Sequence, residues 1–342
     1  MKLCKYEHNP ILSPNPKNVW EERCVLNPAV IYDDANERFV MLYRAAGNDL
    51  RHQITLGLAT SEDGIHFRRE SDQPIFAGTH EEADGGCVED PRLVKIGDLF
   101  YLTYAARAYA PGQYWLMTDL TKAPTYMDET DVSGEEMPLF AQDNITVSYL
   151  AATQDFHVYK KFGRITEACI DDRDVYLFPE RVGGQYVMIS RPKFKDADVK
   201  MPSIWISFGN DLLDYGKPEL LMTGEEWWET QRIGGGTPPI KTEYGWFMLY
   251  HGVDDKGIYR VGAILMDLND PRKIIARTKG FLMEPEYDYE TCGIYEGCVF
   301  PTGTVVKDGT LYVYYGTADT HIGLATADFD ALLRYLIEDC HV

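Results

Sequence analysis

The chain has 342 residues, of which 45% are hydrophobic and 13% aromatic, with 54 acidic side chains against 33 Lys and Arg. This composition is sufficient for a folded core and excludes both a disordered and a fibrous protein. The formal net charge of −21 argues against nucleic acid as a partner, because binding to a phosphate backbone needs clustered Lys and Arg.

The N-terminal residues and the cysteines indicate a soluble, cytoplasmic protein with no membrane partner. Residues 1–7 contain no apolar signal-peptide core, and no run of about 18 apolar residues occurs in the chain. The seven cysteines are odd in number and show no CxxC spacing, so we expect reduced and mostly packed thiols.

One short pattern recurs five times along the chain and predicts many of the strands. A proline marks a strand start, a turn signal follows, and a strand-like run then ends in Tyr or Ser before a polar group. The five prolines are Pro28, Pro91, Pro179, Pro239 and Pro301. Their intervals are close to 60 residues, apart from one of 88 residues between the second and third prolines. A strand-rich period of about 40 to 60 residues is typical of a β-propeller, in which each repeat forms one four-stranded blade.

A weaker pattern follows each copy and gives each repeat a second hairpin. Three of these copies begin with glycine, at Gly57, Gly262 and Gly323. Alternating apolar and polar residues, bounded by Asp-Gly, Gly-Gly or Asn-Glu turns, predict strands throughout. The predicted fold class is therefore all-β: a five-bladed β-propeller that forms a single domain over residues 1–342.

Two segments depart from the repeat. The long interval contains an insertion at about 107–149, rich in Pro, Gly, Asp and Glu, and its part 121–140 is expected to overhang the central opening or to join a subunit contact. A short C-terminal helix is predicted over residues 328–339, because apolar residues recur at i, i+3, i+4 and i+7 from Phe329 and Asp328 can serve as N-cap.

Polar side chains recur at equivalent strand ends of the repeats. The innermost strands of a propeller converge on the central channel, so side chains at their ends face one another there. Nine residues recur in this way: Asn27, Arg44, Glu89, Asp90, Arg92, Glu180, Arg191, His251 and Asp319. A single charged residue at a strand end is usually a solvated rim residue, whereas recurrence at equivalent places favours a site.

Six stretches of the chain resemble the signature stretches of the glycoside hydrolase family 130 mannoside phosphorylases. They are Glu89-Asp90-Pro91-Arg92, Leu177-Phe178-Pro179-Glu180, Ser190-Arg191-Pro192, Gly236-Thr237-Pro238-Pro239-Ile240, Tyr250-His251-Gly252 and Val299-Phe300-Pro301-Thr302-Gly303. They occur in the family's order, and the resemblance extends from about Asn9 to Phe329. The fold of that family is a five-bladed propeller, which agrees with the repeat count.

The resemblance implies an enzyme, a hexosyltransferase-type phosphorylase that cleaves β-mannosides with inversion and releases α-D-mannose 1-phosphate. A hydrolase needs an acid and a base that activates water, whereas phosphate is already a nucleophile at neutral pH. A phosphorylase therefore needs one acid and a cationic cradle. The implied substrates are a β-linked manno-oligosaccharide and inorganic phosphate. We expect no cofactor and no metal, since the eight histidines show no paired metal spacing.

The resemblance also implies roles for individual residues. Asp90 matches the family's catalytic aspartate, which is thought to protonate the mannosyl 3-hydroxyl that relays a proton to the glycosidic oxygen; Arg92 could orient it. The implied phosphate-binding set is Arg173, Arg191, His251 and Tyr259. The predicted substrate-binding set is Asn27, Arg44, Arg51, Glu89, Arg92, Glu180 and Asp319. Relatives often carry Lys in place of Arg173 and His in place of Ser190.

The insertion bears on the acceptor sugar and on assembly. Its aromatic residues Tyr109, Tyr114 and Trp115 either form an acceptor platform or pack within the insertion. Its length favours β-1,2-linked mannobiose or oligomannan over β-1,4-linked mannosides, and it is compatible with a homo-oligomer.

Two other functions stay open from the sequence. An inverting β-mannosidase would use Glu180 as the base that activates water, although a hydrolase has no need to gather four phosphate-binding groups in an acidic protein. A non-catalytic sugar-binding propeller would need only a channel of diol-binding groups. The run Gly234-Gly235-Gly236 lacks the Lys-Ser/Thr of a P-loop and predicts tight backbone at the channel.

Overall fold

The computed structural model describes residues 1–49, 51–79, 84–112, 144–194, 199 and 201–342. Within these ranges the protein is all-β with two helices. Most of the predicted insertion, including segment 121–140, Tyr114 and Trp115, lies outside the described residues. No helix in the described part of the chain is long and apolar enough to cross a membrane.

The strands and helices follow one another along the whole chain. They are β1 (Cys4–Lys5), β2 (Cys24–Asp33), β3 (Arg38–Ala46), β4 (Ile54–Ser61), β5 (Arg68–Arg69), β6 (Cys87–Ile96), β7 (Leu99–Arg107), β8 (Val147–Thr153), β9 (Tyr159–Arg164), β10 (Asp172–Leu177), β11 (Tyr186–Pro192), β12 (Ile204–Gly209), β13 (Glu219–Met222), β14 (Arg232–Gly235), β15 (Ile240–Lys241), β16 (Trp246–Val253), β17 (Tyr259–Met266), β18 (Ile274–Arg277), α1 (Asp288–Thr291), β19 (Val299–Lys307), β20 (Thr310–Thr317), β21 (His321–Asp328) and α2 (Phe329–Asp339).

The described strands form four sheets. One sheet has the order β10-β11-β12-β13, and another has the order β1-β21-β20-β19, so that the N-terminal strand pairs with the last strand of the chain. In a third sheet β14 and β15 both pair with β16, followed by β17 and β18. The fourth sheet has eight strands, β2-β3-β4-β6-β7-β8-β9 with β5 beside β4. Its two halves meet at a single parallel pair, Ile54 with Cys87.

The predicted strand pairs are confirmed, but the position of the proline within them is different. Pro28, Pro91 and Pro301 lie inside β2, β6 and β19, where the register with the neighbouring strand shifts. Proline has no N–H for the ladder, so a bulge is one of the places in a strand that tolerates it. In the third repeat the bulge lies at Asp174 in β10, and Pro179 follows the strand. In three of the five repeats the proline therefore marks a bulge, whereas Pro239 directly precedes strand β15 as predicted.

The weaker glycine pattern has a packing explanation. Three buried tyrosines in second strands lie directly opposite these glycines; the pairs are Tyr43 with Gly57, Tyr250 with Gly262 and Tyr315 with Gly323. A Cβ at Gly57 would lie 2.2 Å from Tyr43 Cζ. Since residues directly opposite in an antiparallel pair share a face, only glycine leaves room for the tyrosine ring.

The C-terminal helix and the state of the cysteines are as predicted. Helix α2 begins after Asp328, whose side chain accepts a hydrogen bond from Ala331 N, and it buries Phe329 against Phe247. All seven cysteines are free thiols, and four of them are buried: Cys24, Cys87, Cys298 and Cys340.

Candidate functional site

Asp90 lies at the bulge of β6, where the backbone is left-handed. The register with β7 shifts between Glu89 and Arg92, and Asp90 has a φ of 51°. Such strained positions cluster at functional sites, and bulges re-aim side chains. The carboxylate Oδ1 accepts hydrogen bonds from Asn27 Nδ2 at 2.7 Å and from Arg44 Nη1 at 3.0 Å. The bulge therefore turns Asp90 towards the first repeat.

Asn27 occupies the corresponding bulge in β2 and holds Asp90 from a buried position. Its φ is 45°, and its side chain is buried. A Cβ at Gly316 would lie 2.1 Å from Asn27 Oδ1, so the last repeat must present glycine there. Asn and Asp are the non-glycine residues most often found in this region of φ, which fits their presence at both bulges.

Arg44, from the first repeat, pairs with two carboxylates of the second repeat. Its Nη1 lies 2.9 Å from Glu89 Oε2, and Glu89 Oε1 lies 3.5 Å from Arg107 Nε. Burial raises the pKa of the Asp90 carboxyl, but Arg44 and Arg92 outweigh burial and keep that pKa below its usual range. Asp90 is therefore ionised in the free protein at neutral pH.

Asp319 lies in the field of the same Arg44 guanidinium as Asp90, but its pKa is shifted upward rather than downward. It lies in the turn between β20 and β21, with a φ of 52°. Burial raises the pKa of Asp319 to about 6; Arg44 opposes the shift, and Asp90 and Glu89 add to it. Three carboxylates, Glu89, Asp90 and Asp319, thus share the field of one guanidinium.

Arg92 is predicted from the sequence both to contact the substrate and to orient Asp90, and its hydrogen bonds in the structure go to the protein backbone. Its side chain is 1% exposed. Its Nε donates to Gly236 O at 2.7 Å, and its Nη1 donates to Asp90 O at 3.0 Å and Pro91 O at 3.1 Å. Arg92 therefore fixes the backbone of the bulge and positions Asp90, which is the orienting role also expected for it.

A second group of polar residues comes from the third and fourth repeats. Arg191 Nε lies 2.5 Å from Asp174 Oδ2, and His251 Nε2 lies 3.9 Å from the same oxygen. His251 is 1% exposed, and burial lowers its pKa to about 3, so its imidazole is neutral. A Cβ at Gly234, opposite His251, would lie 2.2 Å from Asp174 Oδ2. The tight backbone predicted for the glycine run therefore leaves room for the side chains of this cluster.

Arg173 lies directly opposite Arg191 in the β10–β11 pair. Its Nε and Nη2 each lie 2.9 Å from an oxygen of Asp171, which also lies 3.4 Å from Lys193 Nζ. Burial raises the pKa of Asp171, but Arg173 outweighs burial and lowers that pKa to about 2. Two guanidinium groups on one face of a sheet can both reach an anion.

Tyr259 stacks on His251, with ring centroids 5.3 Å apart, and its hydroxyl accepts a hydrogen bond from Arg232 Nη2 at 2.7 Å. Burial raises the pKa of Tyr259 above its usual value, so it stays a hydroxyl. Arg232 has no carboxylate within 4 Å among the described residues. A half-buried guanidinium without a carboxylate is a group available to an anionic ligand.

The sequence analysis missed Asp174 and Arg232. Asp174 is the counterpart of Asn27 and Asp90: it has a φ of 54° and lies at the bulge of β10. The signal that could have found it is the Asp between Arg173 and Val175, but no proline follows Asp174 as one follows the other two. Arg232 lies two residues before the glycine run, outside the six stretches that resemble the family.

Glu180 lies apart from both groups, and its predicted roles in substrate binding and as a hydrolytic base stay predictions. Its side chain is 52% exposed and pairs with Lys241 at 2.5 Å. The neighbouring Pro179 lines a cavity of ≈ 250 Å³ with Tyr32 and Lys95, from the C-terminal ends of β2 and β6. The bulges lie nearer the N-terminal ends of those strands, so Glu180 lies towards the opposite strand ends from Asp90.

Two predicted residues lie at the edge of the described ranges. Arg51 is exposed, and its carbonyl accepts a hydrogen bond from Gly112 N at 2.9 Å. Tyr109 is half-buried, and its backbone exchanges two hydrogen bonds with the Asn144 side chain, at 3.1 and 3.0 Å. The described residues contain no group of three His, Cys, Asp or Glu side chains suited to a metal ion.

Comparisons with known proteins agree over nearly the whole chain. The family model described as beta-1,4-mannooligosaccharide phosphorylase, that of glycoside hydrolase family 130, matches residues 3–338. A 1,2-beta-oligomannan phosphorylase of Thermoanaerobacter sp. (strain X514) is 36% identical over 333 residues, covering 95% of this chain and 97% of the relative. A beta-1,2-mannobiose phosphorylase of the same strain is 34% identical over 339 residues, covering 96% and 97%.

A solved structure is similar over the same extent. The beta-1,2-mannobiose phosphorylase of Listeria innocua, in complex with beta-1,2-mannobiose, superposes with a TM-score of 0.78 at 26% identity. The match covers 98% of this chain and 99% of that chain. The all-β fold with few helices is therefore that of a solved mannoside phosphorylase.

Proposed function

The chain belongs to glycoside hydrolase family 130, the mannoside phosphorylases, and on that premise we propose that it cleaves β-1,2-linked mannobiose or oligomannan with inorganic phosphate. The reaction inverts the anomeric centre and gives α-D-mannose 1-phosphate and a sugar shorter by one mannosyl unit. No organic cofactor takes part; phosphate is the co-substrate.

The observation that carries the proposal is the gathering of anion-binding groups next to a carboxylate site. Arg173, Arg191 and Arg232 supply guanidinium groups, and His251 and Tyr259 supply a neutral ring and a hydroxyl. The charges of Asp90 and Arg232 both act on the buried thiol of Cys298, so the two groups are neighbours in space. Hydrolysis has no use for such a cradle, because its nucleophile is neutral water.

Asp90 is the proposed acid. It passes a proton to the mannosyl 3-hydroxyl, whose own proton goes to the glycosidic oxygen as the bond from C1 breaks. In the free protein, Arg44 and Arg92 keep Asp90 ionised. A bound phosphate dianion adds negative charge nearby and raises the pKa of Asp90, since like charges disfavour the ionised form. Phosphate binding thus prepares the acid.

Phosphate is the proposed nucleophile. A phosphate oxygen attacks C1 from the face opposite the leaving oxygen, and the electrons of the C1–O bond go to the leaving sugar, which accepts the relayed proton. The guanidinium groups hold the other phosphate oxygens and neutralise their charge. Asp90 ends the step as a carboxylate.

Asn27, Arg44, Arg51 and Asp319 are the proposed contacts for mannosyl hydroxyls. The first two already hydrogen-bond Asp90, so a sugar held by them lies beside the acid. Glu89 holds Arg44 from a buried position and acts through it. The preference for the β-1,2 linkage is supported by the names of the two Thermoanaerobacter relatives and of the Listeria structure.

We also propose that the strands form one five-bladed propeller. Five hydrophobic clusters support this arrangement, because each lies between two neighbouring repeat units. One of them joins the last unit to the first, with Tyr314 beside Met41. The eight-stranded sheet then represents two blades that touch at one parallel pair. A single domain over residues 1–342, a cytoplasmic location and a homo-oligomer stay predictions.

The test is release of α-mannose 1-phosphate from β-1,2- and β-1,4-mannobiose, followed by ³¹P NMR with and without phosphate. We expect phosphate-dependent release that is faster from β-1,2-mannobiose. Asp90→Asn should lower kcat at least about 10³-fold, as loss of a general acid does, with little change in thermal stability. Asp63→Asn, which removes an exposed carboxylate in the β4–β5 turn, is the matched control and should retain activity.

Two results would reject the proposal. Free mannose released without phosphate would identify an inverting hydrolase. Binding of either disaccharide without turnover would identify a sugar-binding protein.

A further inference from the structure

Four buried tyrosines lie on the second strands of their repeats, and each donates a hydrogen bond to a carboxylate that also pairs with a cation. We call each group of carboxylate, tyrosine and cation a triad. The triads are Glu21–Tyr43–Arg69, Asp84–Tyr104–Lys161, Glu229–Tyr250–Arg277 and Glu290–Tyr315–Lys5. The distances from tyrosine hydroxyl to carboxylate are 2.9, 3.0, 2.6 and 2.9 Å in that order. The distances from cation to carboxylate are 2.9, 2.5, 2.5 and 2.7 Å. All four carboxylate side chains have 0% exposure.

The triads tie inner strands to outer ones. The four tyrosines lie on β3, β7, β16 and β20, and the four cations lie on or beside the outermost strands β5, β9, β18 and β1. Because the cation and the tyrosine share one buried carboxylate, neither strand can shift without leaving a charge unpaired. Each triad therefore fixes the position of one second strand.

The residue after each tyrosine points to the opposite face of the strand, since side chains alternate. These following residues are Arg44, Ala105, His251 and Gly316. In two of the four triads, the tyrosine is therefore directly followed in the chain by a residue of the candidate site. The other two precede residues without a polar side chain.

The orientation of the His251 side chain depends on the strand backbone more than the orientation of the Arg44 side chain does. Arg44 forms two close contacts, at 2.9 and 3.0 Å, with Glu89 and Asp90. His251 Nδ1 is buried without a hydrogen-bond partner among the described residues, and its Nε2 lies 3.9 Å from Asp174. Ring contacts with Tyr259 and Phe300, at 5.3 and 4.8 Å, complete its surroundings. No strong bond from its own side chain orients the imidazole.

The third repeat shows the alternative to a triad. Ser190 stands where the other repeats have tyrosine, and its buried hydroxyl lies beside the carboxyl of Asp172. The following Arg191 is held instead by its own backbone N–H, which donates to Asp172 Oδ1 at 3.0 Å, and by Asp174. Each anion-binding residue on a second strand thus has a dedicated support, and for His251 that support is the triad.

We propose that the Glu229–Tyr250–Arg277 triad positions His251 and so sets the affinity for phosphate from a place that no substrate touches. This inference rests on the proposed function, in which His251 binds phosphate. The triad acts through β16: its buried carboxylate holds Tyr250, and the strand then presents His251 to the cradle. The positioning residues are Glu229, Tyr250 and Arg277.

The test compares Tyr250→Phe with Tyr104→Phe. Each removes one hydroxyl from one triad and keeps the ring, and Tyr104 is followed by Ala105 rather than by a site residue. We expect both variants to have a lower Tm. Only Tyr250→Phe should raise KM for phosphate, by about fivefold, with kcat and KM for mannobiose changed less than about twofold, because uniform binding of one substrate is lost.

An NMR measurement keeps the test independent of turnover. In protein with ¹⁵N-labelled histidine, Tyr250→Phe should shift the His251 ring nitrogens and Tyr104→Phe should leave them unchanged. The inference is overturned if both variants raise KM for phosphate equally, if Tyr250→Phe leaves it unchanged, or if the His251 resonances do not move. Phosphate-independent turnover by the wild type would reject the proposed function, and the His251 resonances alone would then decide the positioning role.

Discussion

The triads and the anion-binding cradle (Arg173, Arg191, Arg232, His251 and Tyr259) contain the same kinds of side chain, but their charges are paired differently. In a triad, one buried carboxylate meets one cation and one hydroxyl, and none of the triad residues has a positive φ. In the cradle, Arg232 has no carboxylate within 4 Å among the described residues, and Asp174 sits in a left-handed bulge with a φ of 54°. In the triads the charges are matched on relaxed backbone, whereas the cradle contains both a strained residue, Asp174, and a cation without a carboxylate, Arg232, that is available to a ligand.

The largest expected difference follows from removing one arginine from each region. Arg277→Gln leaves Glu229 buried with no cation, which should lower the free energy of unfolding by about 3–5 kcal/mol. Arg232→Gln leaves no buried carboxylate unpaired, so it should cost at most about 1 kcal/mol but raise KM for phosphate tenfold or more, roughly the value of a charge-assisted hydrogen bond. Urea unfolding and phosphate titration of the rate measure both. Equal destabilisation by the two variants would erase the contrast.

A smaller effect is expected from a single methyl group in each region. A Cβ at Gly234 would lie 2.2 Å from Asp174 Oδ2 and 2.4 Å from His251 Cε1, and one at Gly262 would lie 2.5 Å from Tyr250 Cζ. Both Gly→Ala variants should lose about 1–3 kcal/mol of stability through overpacking. Gly234→Ala should also raise KM for phosphate well above that of Gly262→Ala. A normal phosphate KM in Gly234→Ala would show that the cradle tolerates displacement.

The smallest expected effect concerns Asp172, a buried carboxyl beside the cradle with no cation within 4 Å among the described residues. Burial raises its pKa to about 8, so it is protonated in the folded protein at pH values where the unfolded chain is ionised. Its contribution to stability is therefore full below pH about 4 and is lost as the pH rises to about 8. Asp172→Asn keeps the shape without the titration.

Thermal unfolding between pH 4 and 9 measures this contribution. Stability of Asp172→Asn should fall less over this range than that of the wild type, because the amide does not titrate. Parallel curves for the two proteins would contradict a raised pKa of Asp172. Asp63→Asn serves again as the control, because Asp63 is largely exposed and far from both regions.

The sequence alone was sufficient for the strand pattern and the family, and it supplied most of the candidate site residues. Alternation of side chains and the recurrence of one short unit depend on neighbouring residues only, so they are visible in the chain. The structure brings Asp90 together with Asn27 and Arg44, and Arg191 with His251, as the family resemblance implied.

Tertiary structure alone decided which of the charged residues act together. A bulge shifts the register by one residue, so Asp174 became the counterpart of Asp90 although no proline follows it. Arg92 donates to backbone carbonyls, and Glu180 pairs with Lys241 apart from both groups of site residues. Whether a charge is matched, as in the triads, or left for a ligand, as at Arg232, depends on partners far away in the chain. The local sequence pattern does not show which residues distant in the chain lie close together in the fold.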